Sequence, residues 1–165
     1  MLYSARQPAG WTRRKLIGVG TCVLGTVAVV LRPNAVAAES KAIVQPGNAT
    51  VDEFIKRAFE MRDLALSTGD QGYGALIVDL SSMQIVGQSP SRVVSNGDPT
   101  GHAEMEAVRD ATRRLGRRDL SNNVMYSSSK PCPMCEAAAY WANIQAYYYG
   151  ANGTDGGSPR LCGCA

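Results

Sequence analysis

The sequence carries a single histidine, His102, in 165 residues, and no acidic side chain before Glu39. The first scarcity means that a metal site built on imidazole must recruit its other ligands from other residue types. The second gathers positive charge at one end. Arg6, Arg13, Arg14, Lys15 and Arg32 precede Ala38, so the remaining 12 basic residues face 14 acids, and the body balances at −2 against +3 for the whole chain. A body with that balance has no global pull toward phosphates. Widely spaced cysteines are also missing. With Cys22 set aside in the N-terminal segment, Cys132, Cys135, Cys162 and Cys164 form two close pairs that cannot staple distant elements, so metal or redox chemistry explains them better than a disulfide framework. There are no internal repeats, low complexity is confined to the Gly-rich tail, and the length suits one compact domain rather than two.

At the N-terminus, Thr12-Arg13-Arg14-Lys15-Leu16-Ile17 leads into an apolar stretch from Leu16 to Leu31, and Ala35, Ala37 and Ala38 offer a small-residue cleavage site. The pattern resembles a bacterial twin-arginine export signal. An apolar run of roughly 16 residues sits at the lower edge of the about 17 to 25 that span a bilayer. Gly18, Gly20, Gly25 and the Ala-rich exit favour cleavage over a retained anchor. The expected organisation is a signal over 1–38, a linker over 39–49 and a domain over 50–165. The mature protein is then periplasmic or secreted, touching membrane only in transit.

In the body, Thr50-Val51-Asp52-Glu53 forms a capping box that starts a helix, with Val51, Phe54, Ile55, Ala58, Met61 and Ala65 on its apolar face and Gly69 as its stop. Gly74–Asp79 and Met83–Gly87 read as a strand hairpin, the first strand apolar enough for burial on both faces. A loop from Gln88 to Gly101 follows. Ala103, Ala107, Val108, Ala111 and Leu115 mark a second helix, Asn123–Ser127 a strand, a third helix begins near Cys132, and 145–149 reads as another strand. The order αββαβαβ calls for crossovers on a mixed sheet, an α/β fold.

The chemistry concentrates in His102-Ala103-Glu104 and in Pro131-Cys132-Pro133-Met134-Cys135, which begins 29 residues after His102. Cysteines three apart at a helix N-terminus share one face, and the positive end of the helix dipole favours their thiolates. His102, Cys132 and Cys135 therefore make three zinc ligands, leaving the fourth tetrahedral position open to water. Glu104 sits two residues from His102, placed to accept a proton there and return it to a leaving group. Three other readings remain: a CxxC redox pair, which leaves His102 and Glu104 unexplained; a closed structural zinc site completed by Cys162 or Cys164; and a zinc-binding remnant without activity.

His-x-Glu followed by Pro-Cys-x-x-Cys is the zinc deaminase pattern. From Val51 to Asp155 the chain resembles the guanine deaminase and tRNA adenosine deaminase branch of the cytidine-deaminase-like superfamily, most strongly in Asp98-Pro99-Thr100-Gly101-His102-Ala103-Glu104 and Pro131-Cys132-Pro133-Met134-Cys135. Tyr140-Trp141-Ala142 and Thr154-Asp155 lean toward guanine deaminase. The resemblance implies a three-layer α/β/α sandwich, a homodimer, zinc as cofactor, and hydrolysis of the amino group of a nucleobase or nucleoside, with a guanine-like purine first among substrates. It also implies substrate contacts at Ser91, Ala103 and Pro131. Ser91 stands where the family often carries Asn, Lys130 where Glu commonly precedes Pro-Cys, and the chain stops at Ala165, shortened relative to the family's further elements. A tRNA substrate would draw on Arg109, Arg113, Arg114, Arg117 and Arg118, but an exported body of net −2 favours a small molecule over nucleic acid.

Overall fold

The computed structural model describes residues 41–151, 153 and 155–161. The expected export signal, Thr154, Cys162 and Cys164 lie outside the described residues. Among those described, the elements are α1 (Val51–Ser67), β1 (Gly74–Asp79), β2 (Gln84–Pro90), α2 (Val93–Asn96), α3 (Ala103–Leu115), β3 (Asn123–Ser127), α4 (Pro133–Trp141), β4 (Ala146–Tyr149) and β5 (Asp155–Gly157). No described helix is long and apolar enough to cross a membrane.

Both ends of α1 and the end of α3 have a local cause. The Thr50 hydroxyl accepts the Glu53 N–H at the start of α1, and the chain leaves that helix through Gly69 at φ +76°, with the Asp70 N–H returning to the Ala65 carbonyl. Gly116, at φ +63°, ends α3 in the same left-handed way.

The sheet runs β2-β1-β3-β4-β5. β1 is antiparallel to both β2 and β3, β3 and β4 are parallel across α4, and β5 returns antiparallel to β4. Because β2 and β3 flank β1 in the same sense, α3 must cross over β1 to join them. Strand residues alternate between two cores. Leu76, Val78, Val124 and Tyr126 face Phe54, Ile55, Ala58 and Met61 of α1. Ala75, Ile77, Met125 and Tyr147 face Ala103, Ala107 and Ala111 of α3 and Ala139 of α4. A sheet with a helix layer on each face is the expected three-layer α/β/α sandwich.

The helix α3 lies unusually close to the sheet at Gly87. A Cβ there would stand 2.6 Å from the Ala107 carbonyl oxygen and 2.7 Å from the Ala111 side chain, so the small residues of both elements set the spacing of the layers.

Two expectations change. The second strand runs on to Pro90, and the loop after it contains the one-turn helix α2. The Gly-rich tail is not featureless: Tyr147 and Tyr148 pair with Gly157 and Gly156, and a Cβ on Gly156 would lie 2.5 Å from the Tyr147 carbonyl. Glycine, a weak strand former, is what the tight approach requires there. The described part of the linker has no helix or strand, yet it is fastened: the Gln45 carboxamide donates to the Ile85 carbonyl at 2.9 Å and accepts the Ile85 N–H at 2.7 Å, on the outer side of β2.

Candidate metal centre and its cavity

Two helix starts converge at one end of the sheet. His102 is the N-cap of α3 and Cys132 the N-cap of α4, both with extended backbone, and Pro133 opens the first turn of α4, where its missing N–H costs nothing. Cys135, one turn into α4, is fully buried. Three contacts bring the donors together: Cys132 Sγ to His102 Nδ1 is 3.6 Å, Cys135 Sγ to His102 Nδ1 is 3.7 Å, and the sulfurs are 3.6 Å apart. A tetrahedral zinc with bonds of about 2.3 Å to sulfur and 2.0–2.1 Å to nitrogen spaces its ligand atoms by roughly 3.5–3.8 Å. The near-equilateral triangle therefore fits that ion. It does not fit a disulfide, whose sulfurs lie about 2.05 Å apart, and both cysteines are free. The family of donor types, one imidazole and two thiols, is also what zinc prefers.

Charge at the centre points the same way. Burial pushes the Cys135 thiol well up, and the Glu104 carboxylate beside it pushes further. With no cation beside it that thiol keeps its proton, and a bound zinc ion would offset both the burial and the neighbouring carboxylate and let the sulfur ligate as thiolate.

Glu104 follows His102 into the first turn of α3 and is 4% exposed. Its Oε2 lies 3.5 Å from Cys135 Sγ, and its Oε1 accepts the hydroxyl of Ser127, the last residue of β3, at 3.1 Å. One carboxylate oxygen is thus held by the sheet while the other borders the metal ligands.

A cavity of about 390 Å³ opens over this floor, lined by Gln71, Tyr73, His102, Glu104, Ser129, Lys130 and Cys132. That volume lies within the range of small-molecule sites. Its walls differ from the substrate contacts expected from the sequence. Ala103 and Pro131 are buried and their side chains line no part of the cavity. Ser91 is 1% exposed, and its hydroxyl donates to Asp70 Oδ1 at 2.8 Å, so the serine expected where the family often carries Asn is occupied elsewhere. Asp70 also accepts the N–H groups of Gln71, Val94 and Ser95. Burial alone would raise its carboxyl, but these hydrogen bonds outweigh it and hold the group far below the usual carboxylate range.

Asp70 thereby clamps the segment that delivers His102. That segment is closed on itself by the Arg92 N–H to the Gly101 carbonyl at 2.8 Å, and Asp98 caps its turn by accepting both the N–H and the hydroxyl of Thr100. Gln71, Tyr73, Ser127 and Ser129 carry no motif and were not expected at the site. The one available signal was position: each borders an end of β1 or β3, at the sheet end where the motif helices begin.

The family model described as the cytidine and deoxycytidylate deaminase zinc-binding region matches residues 48–151. The guanine deaminase of Bacillus subtilis (strain 168) is 38% identical over 105 residues, 63% of this chain and 66% of that protein. The tRNA-specific adenosine deaminase of Haemophilus influenzae is 30% identical over 101 residues, 61% of this chain and 58% of that one. This chain therefore spans less than two thirds of either relative. The X-ray structure of the Bacillus subtilis guanine deaminase superposes with a TM-score of 0.56 at 37% identity, over 59% of this chain and 62% of that one.

Proposed function

The chain belongs to the cytidine and deoxycytidylate deaminase zinc-binding family, and on that footing we propose that it is a zinc-dependent hydrolase that releases ammonia from a nucleobase or nucleoside, a guanine-like purine foremost. The observation that carries the reading is the triangle of His102 Nδ1, Cys132 Sγ and Cys135 Sγ, with the Glu104 carboxylate beside it at the floor of a cavity. Zinc in such a site supplies a Lewis acid and makes water a stronger nucleophile near neutral pH.

The chain's own residues do the rest. His102, Cys132 and Cys135 hold the ion on preset helix starts. Ser127 fixes Glu104 Oε1, leaving Oε2 to take a proton from the attacking water as its oxygen bonds to the amino-bearing ring carbon. The same carboxyl then returns the proton to the departing nitrogen as the C–N bond breaks, giving the oxo base and ammonia. Burial of Glu104 strengthens its interaction with charge developing above it.

A small substrate rather than tRNA is supported by the state of the basic helix. Arg109 pairs with Glu106, and Arg113 and Arg114 both lie against Asp110, so much of that charge is met within α3 itself. We further propose that the protein works outside the cytoplasm, on the strength of Arg13-Arg14, the apolar run to Leu31 and the Ala37-Ala38 exit. Mass spectrometry of the N-terminus in the periplasmic fraction tests this, and an intact N-terminus confined to the cytosol would overturn it.

The activity is tested by quantifying zinc in the purified protein and following ammonia from guanine, guanosine, adenosine, cytosine and cytidine, beside Glu104→Gln. One zinc per chain and release that drops about 10²- to 10⁴-fold in the variant is the expected result. Bound zinc with no release from any of them would point instead to a zinc-binding remnant.

A further inference from the structure

We propose that Gln71 is the residue that reads the substrate's heterocycle, in place of a side chain from the segment after β2. The inference rests on the deaminase reading above and names a specificity-determining residue within that site.

The argument begins with what Ser91 cannot do. The residue is 1% exposed, its hydroxyl donates to Asp70 Oδ1, and it is not among the residues lining the cavity. Its single proton is committed to a carboxylate, a stronger acceptor than any neutral ring atom. Something else must meet the polar edge of the base, because a buried donor or acceptor left unmatched costs about 1–3 kcal/mol.

Apart from the metal cluster and Glu104, the cavity is lined by Gln71, Tyr73, Ser129 and Lys130. Lys130 only donates, and Tyr73 and Ser129 each offer one hydroxyl. Gln71 alone among them presents an acceptor and two donors side by side in one plane, the arrangement that matches adjacent donor and acceptor atoms on a base edge.

The position of Gln71 is also fixed by the same anion that takes Ser91 out of use. Its N–H donates to Asp70 Oδ1 at 2.8 Å and its carbonyl accepts the Tyr73 N–H at 2.7 Å, so the backbone is held while the carboxamide makes no hydrogen bond among the described residues. One buried carboxylate therefore withdraws the hydroxyl of Ser91 and anchors Gln71, an exposed residue on the cavity wall whose carboxamide faces solvent until a ligand enters.

The test uses the full, zinc-loaded protein and compares Gln71→Ala, Gln71→Glu and Ser91→Ala across the same panel of bases and nucleosides. Affinity for the best substrate is measured by calorimetry in a Glu104→Gln background, where turnover is suppressed. Gln71→Ala is expected to raise KM and the calorimetric Kd about ten- to hundredfold, with a smaller change in kcat and unchanged zinc content. Gln71→Glu, which exchanges donors for an acceptor at the same volume, is expected to reorder kcat/KM among the substrates, and Ser91→Ala is expected to keep the wild-type order. Wild-type protein that binds and deaminates, with a Gln71→Ala variant that matches it in KM, Kd and order, would overturn this inference alone. So would a variant that loses zinc and kcat together. Zinc-loaded wild type that neither binds nor deaminates any member of the panel would remove the deaminase reading and this inference with it.

Discussion

Ser91 and Asp70, 21 residues apart in sequence and both buried, are joined by a hydrogen bond of 2.8 Å from hydroxyl to carboxylate. With the N–H groups of Gln71, Val94 and Ser95, this makes Asp70 a charged anchor for one rim of the cavity and for the segment that ends at His102. Asp70→Asn exchanges an anion for a neutral amide and is expected to cost about 2 kcal/mol or more, since hydrogen bonds to charged groups contribute about 1.5–3 kcal/mol each. The pH dependence follows from the lowered carboxyl. A folded-state pKa below the unfolded one stabilises the fold above the unfolded value, about 3.9 for Asp, and that stabilisation is lost as pH falls toward the folded value. Urea titrations between pH 3 and 7 should show wild type losing stability below about pH 4 more steeply than Asp70→Asn, and parallel curves would contradict the assignment.

Cys132→Ser and Cys135→Ser each remove one corner of the ligand triangle. Both are expected to bring zinc content from one per chain to background. A strong chelator should lower the Tm of wild type toward that of the variants, since an ion bound to the folded state alone stabilises it by mass action. Metal analysis and thermal melts with and without chelator check this, and a zinc content unchanged by either substitution would place the ion elsewhere.

Ser127 touches no substrate in the proposed reaction and acts through Glu104. Ser127→Ala should lower kcat about tenfold, the worth of roughly one hydrogen bond to a charged group, while KM and zinc content stay near wild type. Ser127→Thr, which keeps the hydroxyl, should recover part of the loss. A rise in KM with kcat intact would assign Ser127 to substrate binding instead.

Gly87→Ala forces a methyl against the Ala107 carbonyl and the Ala111 side chain. Overpacking of this kind costs about 1–3 kcal/mol, visible as a lower denaturation midpoint with an unchanged urea slope. Equal midpoints would mean that α3 can shift away from the sheet without loss.

Much of this architecture is legible in the chain because local signals agree with the global fold. The Thr50 cap and the Gly69 stop bound α1 in both sequence and structure, and the continuous apolar run of Leu76, Ile77 and Val78 marks a strand covered on both faces. The metal ligands are legible because their spacing is local on each helix and the two motifs are the only ones of their kind. The rest depends on contacts between distant segments. Ser91 reads as an available donor until the fold places Asp70 beside it, and Ser127 reads as a strand end until α3 brings Glu104 to it. The β5 strand hides behind glycines chosen for close approach rather than for strand propensity.

The Gln45 carboxamide, which pairs with both the amide and the carbonyl of Ile85, has a consequence for how copies of this protein behave together. β2 is the outermost strand on its side of the sheet, and an edge of free amides and carbonyls is a template on which another chain can add a strand. One side chain from the segment before α1 occupies that template at Ile85. Trimming the chain beyond Gln45 would therefore leave the metal ligands in place while removing Ile43 from the margin of the α1 core and uncovering a sticky edge, turning the choice of N-terminal boundary into a determinant of solubility.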